Sequence, residues 1–178
     1  RSVSKRLGIA LGLTNSYLKR FIKKGLIKMR QTPAKRYGYY LTPQGFAEKS
    51  RLTAEYLSQG FHFFRITREE CERVYEHCRN RGWSRIALHG LTNIAEIAML
   101  TSAQYELEIV AVIDSDTSLT TFSNTPIVKS FSDLDCVDAI LVADLDGPEH
   151  ARRALGDKIA AERVLILDVY SLVGHGDG

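Results

Sequence analysis

Short apolar runs alternate with amphipathic segments over residues 85–169, and this alternation constrains the fold more than any other feature of the sequence. Such runs, separated by helix-like segments, are typical of a parallel sheet that is covered by helices on both faces. With right-handed crossovers, the economical strand order is 3-2-1-4-5, that of a small Rossmann-like domain in an α/β protein. The predicted strands are 85–89, 108–114, 126–128, 138–144 and 163–169, and the predicted helical segments are 93–105, 130–134 and 147–160.

Polar residues follow these strands at the edge of the sheet where α/β domains bind ligands. Gly90 allows a tight turn into a helix, and the free N–H groups of that helix attract anions. The dinucleotide-binding fingerprint is incomplete, because Thr92 and Ala95 stand where glycines are usual. Asp114 is placed where an acidic residue would bind ribose hydroxyls. The predicted ligand-binding residues are Gly90, Thr92, Asn93, Asp114 and Asp144.

Further carboxylates at the same edge, including Asp116, Asp146 and Asp168, oppose a bare diphosphate. A divalent cation, or a neutral sugar or nucleoside ligand, would relieve that repulsion. Two interpretations stay open: the domain binds a nucleotide or sugar nucleotide, or it is a degenerate module used for dimerisation or packing. The cofactor is therefore unassigned, with NAD(H) and a UDP-sugar as candidates.

Charge is distributed unevenly along the chain. Residues 1–60 carry thirteen Lys or Arg against two Glu, a net charge of +11, whereas residues 61–178 carry eleven basic against nineteen acidic residues, a net charge of −8. Such a split indicates two modules with different partners, and the basic module favours a polyanion. We predict domains at 1–60 and 83–170, connecting helices at 61–82 and a flexible tail at 171–178.

The segment SKRLGIALGLTNSYLKRFIKKGLI has the spacing of a helix-turn-helix. We expect Gly8 where the two helices touch, Gly12 at the turn and Thr14 as the N-cap of the second helix. The alternative is a solvated basic helix on an unrelated helical domain. The apolar side chains expected between the helices are Leu7, Leu11, Leu13, Leu18 and Phe21. The polar side chains expected to face DNA are Asn15, Ser16, Tyr17, Lys19, Arg20 and Lys23.

The next segment, LIKMRQTPAKRYGYYLT, predicts two extended runs at 26–31 and 36–42 around a basic tip. Such a hairpin is the wing of a winged helix, and its tip residues Lys35 and Arg36 would reach phosphates or the minor groove. The recognition helix would then enter the major groove of double-stranded DNA.

A helix is predicted over residues 43–66, with Thr42 as its N-cap and a break near Gly60. Thr67 is predicted to cap a further helix that ends at Gly82. We expect the apolar patch FHFFRI before Thr67 to serve a dimer contact or the packing between modules.

The stretch LTPQGFAEKSRLTAEYL, most specifically its overlap with YYLTPQGFAEK, resembles the segment after the wing in MarR-like winged-helix regulators associated with exopolysaccharide gene clusters. The resemblance covers roughly residues 1–60 and implies a dimeric transcription regulator. Such domains usually begin with a helix before SVSKRLGIAL, so we expect the natural protein to have residues before Arg1.

Residues 85–169 are similar to the nucleotide-sugar-associated Rossmann-like domains found at the start of polysaccharide-modifying enzymes and sugar acyltransferases. The order of the two modules is also similar to that of the Rex redox-sensing repressors, which bind NADH. The altered glycine pattern at Thr92 argues against transferring that cofactor to this chain.

Catalytic and metal-binding motifs such as GxSxG, Walker A and HExxH are absent from the sequence. His89 is expected to be structural and His150 to be solvated, so we predict neither catalytic residues nor a metal site. The three cysteines fit neither a disulfide framework nor a zinc spacing. The longest apolar runs are far shorter than the ~20 residues that span a bilayer. We therefore expect a cytoplasmic protein without a membrane partner.

Taken together, these patterns predict a transcription regulator that binds double-stranded DNA as a homodimer through a winged helix. The Rossmann-like domain would sense a small-molecule effector or stabilise the dimer, and the chain would not be an enzyme. Two alternatives stay open: a DNA-binding protein that responds to no ligand, and a sugar-nucleotide-processing enzyme with a DNA-binding appendage.

Overall fold

The computed structural model describes residues 2–32, 36–144 and 147–169, so the predicted tail lies outside the described residues. Contacts between residues divide the chain into two compact units, Arg1–Gly60 and Phe61–Gly178. The first unit combines helices with one hairpin, and the second is a mixed α/β unit built around a mostly parallel six-stranded sheet. Within the described ranges, no helix has the length and apolar character needed to cross a membrane.

Two helices open the first unit, α1 (Ser2–Leu7) and α2 (Leu11–Lys23). The chain turns at Gly8, whose φ of +65° is a left-handed conformation that glycine adopts without strain. The predicted turn at Gly12, with Thr14 as N-cap, is therefore wrong. Thr14 lies buried within α2, and its hydroxyl donates a hydrogen bond to the carbonyl oxygen of Ala10 at 3.1 Å.

The expected packing between these helices also differs from the structure. Leu11, Leu13 and Phe21 are exposed rather than buried, and Leu18 is half-buried. A Cβ placed on Gly8 would meet no described atom within 4 Å, so this glycine is not a contact point between helices. The apolar face of α2 is therefore only partly covered within its own unit.

The predicted hairpin is confirmed, with β1 (Ile27–Thr32) antiparallel to β2 (Arg36–Leu41). Because side chains alternate between the faces of a strand, the two faces differ in character. One face carries Lys28, Arg30 and Tyr40, whereas the other carries apolar residues such as Met29 and Tyr39. Residues 33–35, at the tip, lie outside the described part of the chain.

The helix α3 (Pro43–Asn80) begins where the sequence predicts. Thr42 caps it, because its Oγ1 accepts the N–H of Gly45 at 3.0 Å and donates to the carbonyl oxygen of Gly25 at 2.7 Å. A Cβ placed on Gly45 would lie only 1.9 Å from the carbonyl oxygen of Leu26. The first turn of α3 therefore approaches the residues before β1 at a distance that only glycine permits.

The predicted break near Gly60 is wrong, because α3 continues to Asn80. A glycine costs a helix interior only about 1 kcal/mol relative to alanine, and ion pairs such as Arg68 with Glu72 at 2.8 Å favour the helical conformation. Thr67, predicted to cap a separate helix, instead lies fully buried within α3. Its hydroxyl has no hydrogen-bond partner among the described residues.

The sheet of the second unit has the order β5-β6-β4-β3-β7-β8. Five of its strands are parallel, and they confirm the predicted order 3-2-1-4-5. The strand β5 was not predicted from the sequence; it pairs antiparallel with β6 through a turn at Ser123 and Asn124, both with positive φ. The strands are β3 (Arg85–His89), β4 (Glu108–Ile113), β5 (Thr121–Phe122), β6 (Thr125–Val128), β7 (Ala139–Val142) and β8 (Val164–Ile166).

Two helices of this unit, α4 (Asn93–Ser102) and α5 (Pro148–Leu155), are shorter than predicted. The helix α4 ends at Ser102 and is followed by turns up to Glu106, which has a positive φ, whereas α5 ends directly before Gly156, which also has a positive φ. The predicted helical turn opened by Ser130 is confirmed as a single 3-10 turn, Phe131–Asp133. Ser130 caps it by accepting the N–H of Ser132, and its own N–H donates to Asp133.

Apolar side chains cover both faces of this sheet. On one face, Tyr75 of α3 is fully buried, and its hydroxyl donates to the carbonyl oxygen of Ala98 at 2.8 Å. The other face is covered by Leu155 and its neighbours. Burial raises the pKa of the Cys71 thiol to about 12 and that of Cys78 to about 11, so both stay protonated.

Candidate functional site

Polar and basic side chains share one exposed face of α2. Asn15, Lys19 and Lys23 follow one another at four-residue spacing, with Ser16 and Arg20 beside them. Five of the predicted DNA-binding residues therefore lie side by side. Tyr17 lies beyond the edge of this face, where its ring stacks on Phe21 with the centroids 6.3 Å apart.

The hairpin adds basic residues that the sequence analysis missed. Lys28 and Arg30 are exposed on the same face of β1, and alternation along a predicted strand is the signal that would have found them. Lys35, predicted at the wing tip, lies outside the described residues. Arg36 opens β2 opposite Thr32, but its side chain is not among those described.

Both glutamates of the first unit lie on α3, where they form ion pairs with an arginine of the same helix. The guanidinium of Arg51 lies 3.0 Å from a carboxylate oxygen of Glu48 and 3.0 Å from one of Glu55. The hydrogen bond that Arg51 donates to Glu48 lowers the pKa of the Glu48 carboxyl. Among the described residues, no basic side chain of α2 or β1 has a carboxylate partner, so their positive charge is not compensated within the unit.

The second unit has a cleft of about 240 Å³ at the carboxyl edge of its sheet, which we call the carboxyl-edge cleft. Residues that follow β3, β4, β6 and β7 line it together with α5. Four of the five predicted ligand-binding residues lie there, namely Gly90, Thr92, Asp114 and Asp144. Four further residues line the cleft that were not among the predicted ligand-binding residues, namely His89, Asp116, Lys129 and His150.

Two residues expected at this edge do not line the cleft. Asn93 is the exposed first residue of α4 and does not line the cleft. Asp168 follows β8, and its backbone N–H donates to the carboxylate of Glu70 at 2.9 Å. Asp146, also expected at this edge, lies outside the described part of the chain.

Gly90 serves close packing between two strand ends. Its φ is +99°, and a Cβ there would lie 2.7 Å from Cα of Asp144. Thr92 replaces a glycine of the usual fingerprint with a capping residue: its Oγ1 accepts the N–H of Ile94 at 3.1 Å and donates to the carbonyl oxygen of Ala143 at 2.5 Å. Both residues therefore join the end of β3 to the end of β7.

The carboxylate of Asp114 organises the loops around it. Its Oδ2 accepts the N–H of Leu91 at 3.1 Å, and its Oδ1 accepts those of Asp116 and Thr117 at 3.0 and 2.9 Å. Lys129 reinforces the same loop, because its amine donates to the carbonyl oxygens of Ser115 and Thr117. Asp114 thus holds backbone groups at the position where the sequence predicted a ribose ligand.

Two histidines approach each other in the carboxyl-edge cleft. Nδ1 of His150 lies 2.6 Å from Oδ2 of Asp144, and the rings of His150 and His89 have centroids 6.4 Å apart. His89 is only 7% exposed, and its Nδ1 has no hydrogen-bond partner among the described residues. The sequence signal for this pair is indirect: one histidine ends a strand, and the other lies in the first turn of a helix that returns to the same edge.

No group of three or more His, Cys, Asp or Glu in the described ranges is arranged to hold a metal ion. The side chains that line the carboxyl-edge cleft supply imidazole, carboxylate, amine and hydroxyl groups.

The chain matches no protein-family model, no curated protein and no solved structure.

We expect the stability of the second unit to fall in mild acid because of His89. Burial lowers the pKa of His89 below its ordinary value of 6.5, while the nearby Asp144 carboxylate opposes this and His150 adds to it. The unfolded chain therefore takes up the proton before the folded chain does. The contribution of His89 to the free energy of unfolding is complete above about pH 6.5. It is lost as the pH falls toward the lower pKa that His89 has in the folded chain.

Denaturant unfolding followed by the fluorescence of Trp83, measured between about pH 7 and pH 5, checks this expectation. His89→Asn should lose less unfolding free energy over that range than the parent chain. The exposed His62 provides the control His62→Asn, which should follow the parent. Equal losses in all three proteins would contradict the assignment to His89.

Proposed function

We propose that the chain is a transcription regulator whose first unit binds double-stranded DNA as a winged helix and whose second unit is a Rossmann-like effector domain. The observation that carries the proposal is the basic surface of α2 and β1, which has no carboxylate partner among the described residues. Phosphate neutralisation by such a surface supplies most of the affinity of non-specific DNA binding. The exposed Asn15 and Ser16 beside the basic residues would contact base edges.

The homodimer is part of the same proposal. Large apolar side chains of α3 within the first unit are exposed, including Phe46, Leu52 and Tyr56. Exposed apolar side chains of this size favour an interface with another protein surface. A second copy would place two recognition helices on half-sites about one DNA turn, ~34 Å, apart. By the resemblance to exopolysaccharide-associated regulators, the target genes would be polysaccharide genes.

Replacing Lys19, Arg20 and Lys23 together with Ala tests the DNA-binding surface. Each phosphate contact contributes about −0.9 to the slope of log affinity against log salt concentration. If all three residues bind phosphates, the slope should become shallower by about 2.7, with at least a tenfold loss of affinity near physiological salt. Fluorescence anisotropy with a labelled duplex over a salt series measures both quantities.

A matched control removes three exposed charges from the second unit: Arg152→Ala, Arg153→Ala and Lys158→Ala. This variant has the same net charge as the test variant, so a general charge effect would weaken both equally. We expect it to keep the parent slope. Unchanged affinity and slope in the α2 variant would show that α2 is not the recognition helix.

A further inference from the structure

The carboxyl-edge cleft contains a buried polar group that the protein leaves unsatisfied. Nδ1 of His89 has no partner among the described residues, although the side chain lies at the cleft and is 7% exposed. Buried polar atoms are usually paired, so an unpaired one points to an absent bound molecule. The imidazole of His89 lines the cleft, so a molecule bound there lies next to this unsatisfied ring.

His150 offers the second hydrogen-bonding group. Its Nδ1 is held by the carboxylate of Asp144 at 2.6 Å, and the carboxylate side chain is mostly buried. When Nδ1 of a neutral imidazole donates, Nε2 is an acceptor. The His150 side chain is half exposed, so a hydroxyl group can reach this acceptor. The two imidazoles, with centroids 6.4 Å apart, can therefore bind neighbouring hydroxyls of one small molecule.

The same geometry disfavours a diphosphate. Two backbone N–H groups at the start of the helix after β3 are already bound, since Leu91 donates to Asp114 and Ile94 donates to Thr92. The side of Gly90 that a Cβ would occupy is filled by the backbone of Asp144. The Asp114, Asp116 and Asp144 carboxylates add negative charge, and the amine of Lys129 is bound to carbonyl oxygens. An anion would meet repulsion, and the donors named above are already bound and cannot offset it.

Size points in the same direction. The cleft has a volume of about 240 Å³, whereas sites for drug-sized and cofactor-sized ligands usually measure about 300 to 1,000 Å³. A molecule smaller than a nucleotide suits this volume. An anion is disfavoured because the lining is acidic, and a cation is disfavoured because the Asp114 and Asp144 carboxylates are already bound to backbone N–H groups and to His150. The ligand would therefore be uncharged, and it would carry hydroxyl groups because the groups that face it are imidazole nitrogens.

We propose that the carboxyl-edge cleft binds a small uncharged polyhydroxy compound of monosaccharide or cyclitol size, whose adjacent hydroxyls hydrogen-bond His89 and His150. The inference rests on the proposed function, because it names the effector class of the Rossmann-like unit. His150 is oriented by Asp144, and the loop beside the ligand is held by Asp114.

Titration calorimetry with the full chain tests the proposal. The neutral probes are ribose, glucose, galactose and myo-inositol, and the charged comparators are uridine diphosphate and NAD. At least one neutral probe should bind saturably with a dissociation constant below about 10 mM. Both His89→Asn and His150→Gln should weaken that binding at least tenfold, whereas the exposed control His62→Asn should bind as the parent does.

His150→Gln keeps the test decisive if the substitution at the buried His89 unfolds the chain, because His150 lies on the surface of α5. The proposal is overturned if no neutral probe saturates the protein, if uridine diphosphate or NAD binds more tightly than every neutral probe, or if His150→Gln binds normally. The DNA measurement is separate. If the chain binds a neutral probe but no DNA, the proposed site is retained and the proposed regulator is rejected. If it binds DNA but no neutral probe, the regulator is retained and the site is rejected.

Discussion

Gly90→Ala should destabilise the second unit by about 3 to 5 kcal/mol, the sum of backbone strain and overpacking. The residue has a φ of +99°, which disfavours any side chain, and the added Cβ would lie 2.7 Å from Cα and 2.8 Å from the backbone nitrogen of Asp144. Backbone atoms cannot rotate away as a flexible side chain can. Denaturant unfolding monitored through Trp83, the single tryptophan of the chain, measures the loss.

Gly82→Ala separates the two causes. Gly82 also has a positive φ, +71°, but a Cβ there would meet no described atom within 4 Å. Only the conformational strain applies, so we expect a loss of about 1 kcal/mol. If both alanine variants lost the same unfolding free energy, the backbone of Asp144 would have to move away from the added Cβ at little cost, contrary to our expectation.

Gly45→Ala should have an effect of similar size in the first unit. The added Cβ would lie 1.9 Å from the carbonyl oxygen of Leu26, and that oxygen also accepts the N–H of Thr42 at 3.1 Å. The first turn of α3 must therefore move away from the hairpin, at a cost of about 3 kcal/mol or more. Hydrogen exchange of the β1 and β2 amides should accelerate strongly, and DNA affinity should fall with it.

Gly60→Ala is the matched control for this substitution. Gly60 lies within the same helix, but a Cβ there meets no described atom within 4 Å. Alanine should stabilise the helix by up to about 1 kcal/mol. Unchanged exchange in Gly45→Ala would mean that the helix start shifts at little cost and that the close approach is not required.

The parallel sheet could be predicted because its strands are local apolar runs and the crossover rule leaves few possible orders. The edge strand β5 has only two residues, Thr121 and Phe122, too few for a periodic signal. The turn between α1 and α2 was misplaced for another reason. Gly8 and Gly12 both permit a turn, and local sequence does not decide which one adopts the left-handed conformation.

The candidate site was predicted in its location more than in its chemistry. Strand ends converge at one edge of a parallel sheet, so the position of Asp114 could be inferred. Its hydrogen bond to Leu91 joins residues 23 positions apart, and no local pattern contains that information. The approach of His89 to His150 likewise depends on how α5 returns to the sheet, which is a tertiary feature.

The burial of two cysteines makes the chain a convenient object for single-site labelling. Cys71 and Cys78 are fully buried with raised thiol pKa values, whereas Cys136 is exposed. Thiol reagents attack the accessible thiolate, so a maleimide dye should mark Cys136 alone in the folded protein. One fluorophore per chain, located in the second unit, would then report on partner association by energy transfer without any engineered residue.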